Sequence, residues 1–164
     1  MGYYASKFFH EAGAKLVGVS EFDGSIYNQE GINPDQLLSY KMANKKIIGF
    51  PDAQSFIQDD SALYKDCDIF IPAALEKAVN KKNARKLKCK IMCEGANGPT
   101  TKIGEEILER KGVLILPDIL LNSGGVTVSY FEWLKAIDHS RPSRLTKKVH
   151  SPLTLSNALS MKKS

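Results

Sequence analysis

Short apolar runs alternate with segments of helical pattern along most of this 164-residue sequence. The runs are KLVGVS at 15–20, DIFI at 68–71, KIMCE at 90–94 and VLIL at 113–116. Because these runs are apolar almost continuously, rather than at every second residue, both faces of the strands that they form must be covered. Strands of this kind, separated by helices, are typical of a parallel sheet with right-handed crossovers. The pattern therefore predicts an α/β fold, a Rossmann-like doubly wound parallel sheet.

Five segments between and around these runs have the spacing or the end signals of helices. Gly13 closes the first of them, and Asn33 and Pro34 supply an N-cap and an N1 residue for the second. The predicted helices cover residues 3–12, 34–44, 74–87, 101–111 and 125–137. The residues expected to face the core from the fourth helix are Ile103, Ile107 and Leu108.

The composition fits one globular domain. A hydrophobic fraction of 43% is sufficient for a core. The sequence contains no run of about 18 apolar residues, so we expect no membrane span and no membrane partner. The N-terminus lacks the basic and apolar regions of a signal peptide, so no targeting segment is expected in this chain.

The three cysteines, Cys67, Cys89 and Cys93, form neither an even set nor a disulfide framework. This pattern favours free thiols in a reducing compartment. The C-x-x-x-C pair within KCKIMCEGAN lacks two further ligands nearby, so no metal site is expected. Both cysteines would lie on one face of a strand, and we interpret them as small buried hydrophobic residues.

The positive charge of the sequence is concentrated near its C-terminal end. Residues 141–164 hold six basic residues and no acid, so the rest of the chain carries +5 − 6 = −1. The sequence also lacks a recognition helix and a stacked-aromatic pattern, so nucleic acid is not expected as a partner. The basic segment at 149–164 reads as a solvated tail that is expected to be disordered.

Polar and glycine-rich segments follow each predicted strand directly. They are SEFDG, PAA, EGANGPT and PDILLNSGG, and the Asp23-Gly24 pair in the first predicts a turn. In open α/β sheets the ligand lies outside the carboxyl ends of the strands. Four such segments together therefore indicate a binding site at this edge, although each alone is ordinary turn chemistry.

The spacing of Gly2 and Glu21 matches part of a dinucleotide-binding motif. An acid about 20 residues beyond a glycine-rich turn accepts hydrogen bonds from the adenosine ribose. Gly2 would then be the last glycine of G-x-G-x-x-G. We expect the sheet to be incomplete, with the first strand and the phosphate turn missing.

The predicted last helix carries two different faces. Asn122, Gly125, Val126 and Ser129 follow the spacing i, i+3, i+4 and i+7, which puts small and polar residues on one face, suited to a cleft. The second face is bulky, and we expect it to pack in a core. Its residues are Tyr130, Trp133, Leu134 and Ile137.

Four stretches together resemble the nucleotide-binding domain of the glutamate/leucine/phenylalanine/valine dehydrogenase superfamily. They are EFDGSIYN, CDIFIPAALEK, CEGANGPTT and PDILLNSGGVTVSYFEWLK. The resemblance runs from Gly2 to about Lys148 and is closest to the glutamate-specific members. It implies a partial NAD(P)-binding Rossmann domain over 1–148, followed by a divergent tail over 149–164.

The resemblance implies a role for individual residues. Glu21 would hold the adenosine ribose, and Ala73 and Ala74 would lie beside the adenosine. Asn97 would lie near the nicotinamide ribose, and Asn122 would bind the carboxamide. Val126 and Ser129 would face the substrate, with Ser129 reaching the side-chain carboxylate of glutamate.

The family chemistry also requires a lysine from a glycine-rich segment of the substrate domain, which these 164 residues do not contain. We therefore expect no catalytic residue in this chain, which looks like a truncated form that is inactive alone. Glu21 would repel a 2′-phosphate and Phe22 could not bind one, which favours NAD as the cofactor over NADP.

Three interpretations remain open: a partial glutamate dehydrogenase, a related leucine, phenylalanine or valine dehydrogenase, and a non-catalytic truncated subunit. Serine at position 129 suits a carboxylate better than an aliphatic side chain. The resemblance implies oxidative deamination of L-glutamate to 2-oxoglutarate and ammonia by the complete enzyme. It also implies a homo-hexamer, located in the mitochondrial matrix or in the cytoplasm.

Overall fold

The computed structural model describes residues 1–138, and the predicted tail at 149–164 lies outside them. The described residues form two compact units, Met1–Asn122 and a second that begins at Ser123. The boundary falls inside the range 1–148 that the sequence predicts as one partial domain. The elements of the first unit are α1 (Gly2–Glu11), β1 (Gly18–Glu21), β2 (Gly24–Tyr27), α2 (Pro34–Asn44), β3 (Gln54–Ile57), a 3₁₀ turn (Ser61–Tyr64), β4 (Ile69–Phe70), β5 (Ile91–Cys93), α3 (Lys102–Arg110), β6 (Leu114–Leu116) and α4 (Asp118–Leu121). The second unit contributes α5 (Ser123–Asp138).

The second sheet of the first unit is parallel, as the sequence predicts for its apolar runs. Its strand order is β4-β5-β6, with Met92 of β5 paired to Phe70 on one side and Ile115 on the other. Helix α3 connects β5 to β6, which is the expected crossover unit. The α/β fold class is therefore confirmed for this part of the chain.

The first sheet differs from the prediction of a single parallel sheet. Strand β1 pairs antiparallel with β2, and β2 pairs antiparallel with β3. The chain reverses through a two-residue loop because Gly24 adopts a φ of +136°, a conformation that other residues rarely adopt. The Asp23 carboxylate fixes this loop by accepting hydrogen bonds from the backbone N–H groups of Ile47 and Ile48, at 2.9 and 3.1 Å. The predicted turn is thus correct, but it makes a hairpin instead of leading to a helical crossover.

The helix predicted over 74–87 is wrong: this segment consists of turns and loop. Two asparagine side chains take the backbone partners that a helix would use. Asn83 donates from Nδ2 to the Ala78 carbonyl at 2.7 Å and accepts from the Asn80 N–H at 2.7 Å. The Asn80 side chain accepts from the Lys82 N–H at 3.0 Å. The apolar residues Ala84 and Leu87 are still buried, so the segment covers the sheet without forming a helix.

The other predicted helices of the first unit are present, with the predicted Asn33 cap on α2 and a cap on α3 that was not predicted. The Asn33 side chain accepts from the N–H groups of Asp35 and Gln36, at 3.0 and 3.1 Å. Thr101 caps α3 by accepting from Gly104 N–H at 3.2 Å. Each cap satisfies backbone donors that a helix start leaves without a partner.

Two sets of predicted core residues are exposed instead. Ile103 is 53% exposed, because the first turn of α3 packs against the segment at Val79 with Gly104 and not with Ile103. A Cβ atom on Gly104 would lie 3.0 Å from the Val79 carbonyl. Leu108 is fully buried and Ile107 partly buried, as predicted. Tyr130 and Trp133 are also more than half exposed and stack on each other, with ring centroids 5.9 Å apart. Both side chains are thus exposed on α5 in the described structure, where the sequence predicted core positions.

Each sheet of the first unit has its own apolar cluster. Met92 and Leu108 are the fully buried centre of the cluster at the parallel sheet, and Ile26, Ile32 and Ile47 form the centre of the other. Cys89 and Cys93 are buried, and the described cysteines are free thiols, as predicted. Among residues 1–138, no helix combines the length and apolar character needed to cross a membrane.

Candidate functional site

One open groove of the first unit brings together four of the residues predicted to bind the cofactor. Gly2, Glu21, Ala73 and Ala74 all line it. Glu21 is the last residue of β1, and the two alanines follow β4 after Ile71 and Pro72. The carboxyl ends of these strands therefore open into one space, as the strand-end pattern predicts.

Small residues keep side chains out of the part of this groove near the end of β4. A Cβ atom on Gly2 would lie 4.0 Å from Ala73 Cβ, and one on Gly95 would lie 3.4 Å from the same atom. The start of α1, the segment after β4 and the segment after β5 therefore meet at Ala73. Gly2 and Ala73 line the groove with only a methyl group between their backbones, whereas Gly95 is buried beneath Ala73.

The Glu21 carboxylate is bound to a residue that the sequence pattern did not identify. Lys41, in the last turn of α2, donates from Nζ to Glu21 Oε1 in a hydrogen-bonded ion pair. The two side chains are 35% and 37% exposed, so the pair lies at the edge of the groove. Phe22, next to Glu21, is 84% exposed and does not cover the carboxylate. The partnership arises from tertiary packing, and no spacing rule would have found it.

Asn97 and Asn122, predicted to lie near the nicotinamide end, are in contact. Asn122 donates from Nδ2 to Asn97 Oδ1 at 2.6 Å. Asn122 is the C-cap of α4 in the first unit, and it precedes α5 instead of sharing a helix face with Ser129. Two segments that each follow a strand, β5 and β6, thus place their amide side chains side by side.

Two acidic residues hold these segments together, and sequence reasoning assigned them no role. Asp118 accepts from Gly98 N–H at 2.8 Å, and its own N–H donates to Glu94 Oε2 at 3.2 Å. Glu94 is only 9% exposed. The sequence could have indicated a role for both acids, because they lie in EGANGPT and PDILLNSGG, two of the segments that follow predicted strands. The bonds fix the backbone on either side of the Asn97–Asn122 contact.

Val126 and Ser129, predicted to face the substrate, belong to the second unit. Both lie in the first two turns of α5, on exposed positions, and Val126 is 70% exposed. Thr127 donates from Oγ1 to the Ser123 carbonyl at 2.8 Å within the same helix start. Their side chains are thus available on the helix surface.

The thiols are unsuited to nucleophilic chemistry. Burial raises the pKa of the Cys67 thiol to about 11, and burial also raises the pKa values of Cys89 and Cys93. A thiol with a raised pKa forms little thiolate near neutral pH, and the thiolate is the reactive form. In the part of the chain that the structure describes, no group of three or more His, Cys, Asp or Glu residues could hold a metal ion.

Comparison with known proteins gives one consistent family. Residues 1–155 match the family described as Glutamate/Leucine/Phenylalanine/Valine dehydrogenase. The chain is 49% identical over 148 residues to the mitochondrial glutamate dehydrogenase of Dictyostelium discoideum, which covers 90% of this chain and 30% of that protein. Among solved structures, it is similar to glutamate dehydrogenase from Peptoniphilus asaccharolyticus, with a TM-score of 0.63, 37% identity, and coverage of 82% of this chain and 30% of that one.

A further solved structure shares the fold at lower sequence identity. The hetero-hexameric glutamate dehydrogenase from Thermus thermophilus has a TM-score of 0.76 and 24% identity, over 90% of this chain and 35% of that one. The chain thus spans about a third of the length of the relatives that it matches.

Proposed function

Since this chain belongs to the Glutamate/Leucine/Phenylalanine/Valine dehydrogenase family, we propose that it is the cofactor-binding portion of an NAD(P)-dependent glutamate dehydrogenase. In the complete protein the reaction is the oxidative deamination of L-glutamate to 2-oxoglutarate and ammonia. The observation that carries the proposal is the convergence of Gly2, Glu21, Ala73 and Ala74 on one groove at the carboxyl ends of β1 and β4. This chain contributes binding and orientation, and it contributes no catalytic residue.

The residues present fit a dinucleotide. The methyl-lined space at Ala73 admits a backbone approach, and Glu21 offers carboxylate oxygens to the same groove. Glu21 would hold the adenosine ribose, with Ala73 and Ala74 beside the adenosine. Asn97 would lie near the nicotinamide ribose, and Asn122 would donate to the carboxamide. When bound, the nicotinamide supplies the acceptor for the hydride.

NAD is the cofactor that Glu21 favours over NADP. A carboxylate accepts from ribose hydroxyls through charge-assisted bonds but has no donor for a 2′-phosphate, which it repels. Lys41 moderates this discrimination, because its ammonium group is bound to Oε1 of the same carboxylate. The other oxygen, Oε2, remains to accept from the ribose.

Glutamate is the substrate that residues of α5 favour over aliphatic amino acids. Ser129 offers a hydroxyl donor to a side-chain carboxylate, and Val126 supplies an apolar contact one helical turn earlier. A leucine-specific site would gain nothing from that hydroxyl and would leave it without a partner. For the complete protein we propose a homo-hexamer in the mitochondrial matrix or the cytoplasm.

A chimaera tests the function. Residues 2–148 of this chain replace the matching segment of a complete glutamate dehydrogenase, and turnover is measured with NAD and either L-glutamate or L-leucine. We expect turnover of glutamate, a preference for glutamate that Ser129→Ala reduces, and no turnover by the 164-residue chain alone. A folded chimaera that prefers leucine would contradict the substrate assignment. Turnover by the isolated chain would contradict the proposal that the catalytic residues of the complete enzyme lie outside these 164 residues.

A further inference from the structure

The segment after β5 contains Asn97 followed by Gly98, the only Asn-Gly pair in the 164-residue sequence. The backbone nitrogen of the residue after an asparagine can attack the side-chain carbonyl carbon, and a Cβ atom on that residue hinders the approach. Gly98 has no Cβ atom, and one built on it would meet nothing within 4 Å. Both residues are exposed, so their surroundings leave room for this reaction.

The side-chain carbonyl of Asn97 is polarised by a hydrogen bond. Asn122 donates from Nδ2 to Asn97 Oδ1 at 2.6 Å. Attack on the carbonyl carbon develops negative charge on this same oxygen, and a donor that is already in place stabilises that charge. Asn122 is held in position as the C-cap of α4, where its N–H donates to the Asp118 carbonyl at 2.9 Å. The side chain of Asn122 can therefore serve as an oxyanion donor for the Asn97 amide.

The backbone N–H of Gly98, which belongs to the attacking group, donates to a carboxylate. Asp118 Oδ2 accepts this hydrogen bond at 2.8 Å. The other carboxylate oxygen, Oδ1, accepts from the Ile119 N–H at 2.6 Å, which orients the side chain. A carboxylate that already accepts from the attacking N–H is placed to take its proton as a general base. The attacking nitrogen, a base and an oxyanion donor thus lie together after β5 and β6.

We propose that Asn97 is a site of intramolecular deamidation, promoted by Asp118 and Asn122. The Gly98 nitrogen forms a bond to Cγ of Asn97, and its proton passes to Asp118. Asp118 returns a proton to Nδ2 of Asn97, which leaves as ammonia when its bond to Cγ breaks, and a succinimide ring remains. Water then opens the ring at Cγ, which gives aspartate, or at the backbone carbonyl of position 97, which gives isoaspartate.

The proposed reaction goes beyond the binding of a cofactor. It consumes water and releases ammonia, so it requires no oxidant, reductant or bound ligand. It replaces a neutral amide with a carboxylate, so the chain gains a negative charge beside Asn122.

Asn83 provides a comparison within the same chain. Its Oδ1 also accepts from a backbone N–H, that of Asn80, at 2.7 Å. The next residue, Ala84, has a Cβ atom and is fully buried. Its N–H donates to the Asn80 carbonyl at 2.9 Å and not to a carboxylate. Asn83 should therefore keep its amide under conditions in which Asn97 loses it.

The test incubates the full 164-residue chain at neutral pH in water enriched in heavy oxygen. Mass spectrometry of proteolytic peptides measures heavy oxygen at positions 97 and 83, and protein isoaspartyl methyltransferase labels the isoaspartate product. The same chain in guanidinium chloride gives the rate for the unfolded Asn-Gly pair. A placed general base contributes about 10²–10⁴-fold, so we expect position 97 to react faster in the folded chain by about tenfold or more.

Two substitutions separate the contribution of the fold from that of the Asn-Gly pair itself. Asp118→Asn keeps an oxygen acceptor but removes the base, and Asn122→Ala removes the donor to the Asn97 oxygen. Each should slow the folded reaction about tenfold and leave the rate in guanidinium chloride unchanged, because both residues act only in the folded structure. Asp66→Asn is the matched control: it removes an exposed acid that pairs with Lys88 at 3.2 Å, and it should change neither rate. Circular dichroism identifies a variant that has lost its fold, and the ratio of the two rates in the parent chain then decides.

Three results would overturn the proposal. A reaction at Asn97 that is no faster in the folded chain than in guanidinium chloride would show that the fold does not promote it. Equal incorporation of heavy oxygen at Asn97 and Asn83 would show that Gly98 and the carboxylate do not direct the reaction. Unchanged folded rates in both Asp118→Asn and Asn122→Ala, with circular dichroism like that of the parent, would remove these two residues from the reaction.

Discussion

Replacement of Glu21 by serine should weaken NADH binding and narrow the preference for NADH over NADPH. The substitution is made in the chimaera that carries residues 2–148 in a complete dehydrogenase. It removes the carboxylate that β1 presents at the edge of the groove. Serine is too short to reach the same position, and it does not repel a phosphate.

The structure sets the size of this effect. Lys41 already occupies Oε1, so at least one charge-assisted bond from the ribose, to Oε2, is lost with the carboxylate. A hydrogen bond to a charged group contributes about 1.5–3 kcal/mol, which corresponds to roughly a 10- to 150-fold rise in the Kd for NADH. NADPH should be affected less, because the change also removes a like charge from its phosphate. Loss of the ion pair should cost about 0.5 kcal/mol of stability, since both partners are more than a third exposed.

Binding titrations with NADH and NADPH measure both constants in the parent and in the variant. Glu30→Ser is the matched control: it also removes an exposed acid that pairs with a lysine, Lys15, at 3.7 Å. The control should leave both constants unchanged. A Glu21→Ser protein that binds NADH within about twofold of the parent would refute the assignment of Glu21 to the ribose, and the residue would then be only a partner of Lys41.

Three further predictions concern orientation, pH and the hairpin. In the chimaera, Asn122→Ala should lower the rate of hydride transfer more than it raises the Kd for NADH, because orientation of the nicotinamide acts in the transition state. Single-turnover kinetics measures this rate, and an unchanged rate would remove Asn122 from the site. Burial raises the pKa of Cys67 from its ordinary value of 9.0 to about 11, so the folded chain keeps a proton that the unfolded chain loses above pH 9. Stability should therefore fall as the pH rises from 9 to 11, and less steeply in Cys67→Ala; equal slopes in urea unfolding would contradict this. Gly24→Ala should lower the free energy of unfolding by about 3–5 kcal/mol in the same assay, because the added Cβ would lie 2.2 Å from the Phe56 carbonyl. Gly112→Ala meets no atom within 4 Å and should lower it by only about 1–2 kcal/mol, for its positive φ. Similar losses of stability in both variants would show that the contact at Gly24 is relieved.

The features that short-range chemistry determines were predictable from the sequence. Asn33 caps α2, and the Asp23-Gly24 pair forms a turn, because each depends on neighbouring backbone groups only. The parallel strands β4, β5 and β6 were recognisable from their continuous apolar runs. The expected cover on both faces is incomplete, because Ile69 and Leu114 are 36% and 57% exposed.

The errors arose where long-range pairing or side-chain competition decides the structure. Whether β1 pairs parallel or antiparallel depends on where the chain goes after its turn, and the apolar run does not contain that information. The segment 74–87 has helical residues, but the side chains of Asn80 and Asn83 bind backbone groups that a helix would need. Lys41 lies twenty positions after Glu21, and the two side chains meet only because α2 packs beside β1.

The central claim is that the carboxyl ends of these strands bind a nicotinamide dinucleotide. The most direct test is a crystal structure of the chimaera with NADH bound. We expect the adenosine ribose within hydrogen-bond distance of the Glu21 carboxylate, the adenosine beside Ala73, and the carboxamide bonded to Asn122. A cofactor bound elsewhere, or in this groove with its ribose away from Glu21 and its carboxamide away from Asn122, would contradict the account.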